Sequence, residues 1–203
     1  MSVILKCSLV TLFSTILALH GFSQNIFLET SNKVDEFNKS ISIQVIPKEE
    51  VLRGKKVMKN FLSVEDENNT IVFINYLKPE DGSEYYRIVF RKTIDLGCVS
   101  KYDGKLLVLF ENGETLTLQQ QSETDCGDTI TPAYYFASPE TLKSDSMVDF
   151  QAEQNKIIDK FLSSNILKVR LYGTKHYDEI EFRPQAQDIV KKMLNRVDEE
   201  LEL

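Results

Sequence analysis

The first regular pattern in the chain is an alternation. Ile41, Ile43 and Val45 are separated by Ser42 and Gln44, which predicts a strand with one apolar face, and Pro47 ends it. A three-strand meander is expected next, over residues 57–65, 70–77 and 84–92. Two turn-rich clusters, 66–69 and 78–83, separate its strands. In the last strand Tyr86, Ile88 and Phe90 share one face, while Tyr85, Arg87 and Arg91 share the other. That split predicts an antiparallel sheet with one buried side. Residues 105–110 and 115–119 flank Asn112-Gly113, the residue types that supply the positive φ angles of a type I′ hairpin. Residues 129–137, with Tyr134-Tyr135-Phe136, predict a further strand.

The period then lengthens. Ser138-Pro139-Glu140 is a helix start: Ser caps free N–H groups, Pro fits the first turn and Glu complements the dipole. The helix is interrupted near 143–146 and resumes with Phe150, Gln154, Ile157, Ile158 and Phe161 at helical spacing, stopping at Asn165. Residues 166–172 and 176–182 read as two strands around Gly173-Thr174-Lys175. Pro184 opens a last helix with its apolar stripe on Ala186, Ile189, Val190, Met193, Leu194, Val197 and Leu201. Asp198, Glu199, Glu200 and Glu202 crowd its C-terminus, where the dipole disfavours them, so fraying is expected there. The sum is an α+β fold: about eight mainly antiparallel strands, a helical segment before the last hairpin and a C-terminal amphipathic helix.

The N-terminus changes the compartment. Lys6 precedes an uncharged apolar run over 7–19, the length of a signal-peptide core and short of the ~20 residues a membrane-spanning helix needs. Gly21 and Ser23 sit at the −3 and −1 positions of a cut after Ser23, with a cut after Gln24 as the near alternative. The expected organisation is a signal peptide over 1–23, a polar lead-in over 24–39 and one domain over 40–203. No transmembrane segment is expected after signal removal. Cys7 leaves with the signal, and Cys98 and Cys126 remain as an even pair for a disulfide. An extracytoplasmic location, periplasmic or secreted, follows from both features.

Charge and chemistry narrow the function. The chain carries 24 basic and 31 acidic residues, and loss of Lys6 moves the net charge from −7 to −8. That balance argues against a nucleic-acid partner, which requires clustered Lys and Arg. Catalytic templates fail one after another. His176 has no nucleophile elbow to serve, and the Gly97–Lys105 stretch has the wrong spacing for a phosphate-binding loop. No cofactor or metal is expected: the oxygen-rich turns at Asp66-Glu67-Asn68 and at Asp125 and Asp128 do not follow the EF-hand pattern. Paired carboxylates leave a small Asp/Glu-dependent hydrolase as an alternative. Tyrosine is the remaining signal. Adjacent tyrosines in a strand point to opposite faces, so one of Tyr85-Tyr86 and one of Tyr134-Tyr135 face outward. Tyr85, Arg87, Arg91 and Tyr135 are the candidate binding surface.

Residues 101–118, together with Tyr134-Tyr135-Phe136, Ser138 to Leu142 and Ile166 to Tyr172, resemble small secreted proteins of unknown function common in Bacteroidetes-type bacteria. The resemblance spans about residues 57–197 and implies export and an α+β fold, with no activity attached. The expected function is an exported, non-catalytic binding or interaction module of the cell envelope, acting on an unknown protein or small-molecule ligand. A structural envelope component is the other alternative.

Overall fold

The computed structural model describes residues 28–47, 70–101, 103–120, 123–144 and 146–203. The expected signal peptide and the strand expected over 57–65 lie outside the described residues. Within them the protein is α+β, with twelve strands in three antiparallel sheets and three α-helices.

The main sheet runs in the order β1 (Leu28–Val34), β2 (Ile41–Pro47), β3 (Ile71–Lys78), β4 (Tyr85–Thr93), β10 (Ala133–Tyr135), with β9 (Thr129–Ile130) also paired to β4. The second sheet runs β12 (Tyr177–Glu181), β11 (Ile166–Tyr172), β6 (Lys105–Phe110), β7 (Thr115–Gln119). A bridge between Gln120 and Tyr134 ties the end of β7 to β10, so the sheets meet along that seam. The apolar sides of both sheets, from Ile43, Ile74 and Phe90 to Leu106, Val108 and Leu171, share one core.

Helix α1 (Pro139–Lys143) and helix α2 (Met147–Ser163) follow β10, and a 3-10 turn over Pro184–Ala186 precedes helix α3 (Ile189–Leu201). The stripe of α3, with Val190, Met193 and Val197 fully buried, lies over β1, β2 and β3 and packs on α2.

Several expectations are corrected. The lead-in over 24–39 carries an edge strand, β1, which pairs with all seven residues of β2. Its outward polar residues hide the alternation. The strand expected over 129–137 is split at Thr131-Pro132, where proline removes a ladder donor. The acidic end of α3 stays helical to Leu201, because Arg196 bonds Glu199 at 2.7 Å and Glu200 at 2.6 Å.

Cys98 and Cys126 face each other across the short pair β5 (Cys98–Val99) and β8 (Asp125–Cys126), joined in a disulfide with Cα atoms 4.1 Å apart. The hairpin of β11 and β12 docks beside it: Thr174 N–H donates to the Cys98 carbonyl at 2.9 Å and Lys175 N–H to that of Leu96 at 3.1 Å. Gly173 permits this approach, since any Cβ there would run into the Leu96 carbonyl.

Candidate binding cleft

The two faces of β4 part as the alternation requires. Tyr86, Ile88 and Phe90 enter the core, while Tyr85 and Arg87 are half-buried on the outer side. Strand β10 sets Tyr135 opposite Arg87, whose guanidinium lies 5.7 Å from the Tyr135 ring centre. The Tyr85 and Tyr135 rings are 5.9 Å apart, the diagonal reach of neighbouring strands.

A third ring comes from α2. Beyond Tyr135, β10 bends away and leaves backbone groups of β4 open. The buried side chain of Gln154 replaces the missing strand: its Oε1 accepts Tyr86 N–H at 2.9 Å and its Nε2 donates to the Glu84 carbonyl at 3.0 Å. Gln151 Nε2 donates to the same carbonyl at 2.7 Å. These bonds satisfy groups that would otherwise be costly to bury. They also seat α2 so that Phe150 lies 5.5 Å from Tyr85 and 6.0 Å from Tyr135.

The corner between α1 and α2 is capped twice. Ser138 Oγ accepts Thr141 N–H at 3.3 Å, and Ser146 Oγ accepts Asp149 N–H at 3.3 Å. Glu153 reaches back from α2 to accept Ser138 N–H at 2.9 Å. Leu142 and Met147 thereby close the aromatic trio into an open cleft of about 280 Å³. Met147 on its rim is 47% exposed.

Of the four residues expected to form a binding surface, Tyr85, Arg87 and Tyr135 come together. Arg91 does not. It is exposed further along β4, about 13 Å from Arg87 at the usual strand rise. Between them Val89 packs with Phe73 and Ala133 in a separate small apolar cluster. Phe150, Leu142 and Met147 were missed. The signal for Phe150 was the helical stripe itself, which starts with Phe150 one turn before the core begins.

Other polar groups cluster elsewhere. A second cleft of about 350 Å³, between α1 and the β6–β7 hairpin, is lined by Lys101, Lys105, Lys143, Asp103 and Glu140. Near the C-terminal end of α3, partial desolvation and then the Glu202 and Glu84 carboxylates hold exposed Asp198 above the usual carboxylate range. Burial, followed by Glu84, pushes the Tyr76 phenol up, and burial, followed by Asp198, does the same to Tyr86. Buried Lys92 of β4 pairs with Asp178 of β12 and links the two sheets. His176 is an exposed turn residue, and Asp125 accepts the Thr131 N–H. The oxygen-rich turn at Asp66 lies outside the described residues. Among the described residues no three His, Cys, Asp or Glu side chains are grouped to hold a metal ion, and no described helix is long and apolar enough to cross a membrane.

No family model, curated protein or solved structure matches the chain.

Proposed function

We propose that this protein is an exported, non-catalytic interaction module of the cell envelope, and that its working surface is the Tyr85–Tyr135–Phe150 cleft, which takes an apolar side chain of a partner protein. One observation carries the reading: three rings from three elements are fixed by packing and by the Gln154 bonds, with Phe150 buried at the base and Tyr85 and Tyr135 half-buried at the mouth beside exposed Met147. Rigid aromatic anchors beside a methionine suit binding, because little side-chain freedom is lost on contact. The disulfide fits a protein that works outside the cytoplasm, and the apolar run over 7–19 fits export.

N-acetyl-phenylalanine amide is a suitable probe. At millimolar concentration it is expected to shift the NMR signals of the Met147 methyl and the Tyr85 and Tyr135 rings, and Met147→Glu is expected to abolish the shifts. Absence of shifts in the wild-type protein sinks the cleft as a binding site. Intact mass of the exported protein tests the compartment, since a mass retaining residues 1–23 contradicts it.

The hydrolase alternative draws on Glu84 and the raised Asp198. Neither lines the two clefts described above. Turnover of a glycan or ester that is lost in Asp198→Asn would favour it.

A further inference from the structure

The cleft has a matching knob on the same molecule. Phe37, in the turn between β1 and β2, is 98% exposed, and Val34 beside it is 60% exposed. Lone exposed apolar residues are common on protein surfaces. This one is held on a fixed turn. Asp35 Oδ1 accepts the N–H groups of Phe37 at 2.8 Å and Asn38 at 3.2 Å, and Asn38 Oδ1 accepts Ser40 N–H at 2.9 Å. Backbone bonds from Asp35 to Ser40 and from Lys39 to Asp35, both 2.9 Å, close the turn, with Lys39 in the left-handed region at φ 56°. With the backbone already fixed, the freedom lost on binding is that of the ring's own two side-chain torsions.

Register places knob and hole at one end of the sheet. Val34 pairs with Ile41, Ile41 with Lys78, and Leu77 with Tyr85. The β1–β2 turn therefore emerges at the same end as the β3–β4 turn, where the cleft begins. Three strand spacings, about 14 Å, separate β2 from β10. The charges are complementary too. Lys33 and Lys39 flank the knob and Asp81 and Asp149 lie beside the cleft, all four without an ion pair among the described residues.

Resting on the reading of the cleft as a binding surface, we infer that its occupant is Phe37 of a second copy of this chain, the two copies exchanging knobs about a two-fold axis. An isologous contact of this kind closes as a dimer and uses one patch twice. One ring in one open cleft per copy makes a weak, transient contact, with an expected dissociation constant on the order of 100 μM, between the micromolar and millimolar marks.

The test uses sedimentation equilibrium of the purified protein and a fluorescent reporter. The chain contains no tryptophan, so Phe37→Trp installs a single probe at the knob. Its emission is expected to shift to the blue as concentration rises through the dimerisation range. Phe37→Ala and Met147→Glu are each expected to weaken dimerisation at least tenfold. Mixing these two variants restores one knob-and-hole contact and is expected to recover part of the association. A wild-type protein that is monomeric at 1 mM (about ten times the expected constant), a concentration-independent tryptophan spectrum, or a dimer unaffected by Phe37→Ala would each overturn the inference. If the protein is monomeric while N-acetyl-phenylalanine amide still occupies the cleft, the second copy is wrong and the cleft reading stands. If the probe fails as well, both fall.

Discussion

The two halves of α2 carry the same kind of residue into different surroundings. In the C-terminal half Ile157 and Phe161 are buried, and the Phe161 ring lies 5.4 Å from Phe110 and 5.0 Å from Phe136. In the N-terminal half Phe150 rests on Tyr85 and Tyr135 on the outer side of β4, next to exposed Met147 and Val148. The helix passes from one side of the sheet to the other, and Gln154 marks the crossing, bonded to the edge of β4. A single amphipathic stripe therefore builds core at one end and an open aromatic surface at the other. What differs is the sheet beneath it, closed by β6 and β11 on one side and ending at β10 on the other.

This contrast breaks most visibly in its buried half. Phe161→Ala is expected to cost about 4 kcal/mol in urea unfolding, since it leaves a cavity among Phe110 and Phe136. A loss below about 1 kcal/mol would show that the C-terminal half is not core. Gln154→Leu comes next. It strips the Tyr86 N–H of its partner and leaves the Glu84 carbonyl to Gln151 alone, for about 2 kcal/mol, and hydrogen exchange at the Tyr86 amide should speed up. Protection that stays unchanged would mean another group satisfies that edge. Phe150→Ala is expected to cost about 2 kcal/mol, roughly half the Phe161 loss, because buried Phe150 packs on two half-buried tyrosines at an open cleft, where water can fill the space it leaves. Equal losses at the two phenylalanines would erase the distinction between the halves.

The smallest effect concerns the far end of α3. Asp198, exposed on α3, sits above the usual carboxylate range through partial desolvation of its carboxyl and through Glu202 and Glu84, so the folded protein holds its proton more tightly than the unfolded chain does. Its contribution to stability is present below the ordinary aspartate value of about 3.9 and is lost as pH rises through the raised value. Asp198→Asn stays neutral throughout. It should therefore be more stable than wild type at pH 7, by less than about 1 kcal/mol given solvent screening, and the gap should close at pH 3. Melting temperatures at the two pH values measure this, and a gap that widens in acid would reverse the sign.

Legibility in the sequence followed the range of the forces involved. The hairpin strands are found at the expected residues, 105–110 and 115–119, but the turn is not type I′: Gly113 is at φ +82° while Asn112 is not left-handed, and Gly113 N–H donates to the Phe110 carbonyl across a longer loop. A glycine-bearing turn and two alternating strands are local facts. Ser138 caps α1 as expected for the same reason. β1 was illegible because an edge strand needs only one buried neighbour, and its sequence shows almost no alternation. Tyr85, Arg87 and Tyr135 were readable as one face from strand parity and adjacent tyrosines. Arg91 was grouped with them by the same parity, but parity assigns a side of the sheet and not a position along it.

Sequence alone determined the α+β class, the pairing-ready cysteines, most strand and helix cores and the outward side of the tyrosine pairs. These depend on side-chain period, turn chemistry and counting. Tertiary structure alone decided that Phe150 meets Tyr85 and Tyr135, that Gln154 stands in for a strand, and that Lys92 meets Asp178 across two sheets. Each joins residues far apart in the chain. Their contact is set by where β10 leaves β4 and how the sheets close on one another, and no local pattern encodes either event.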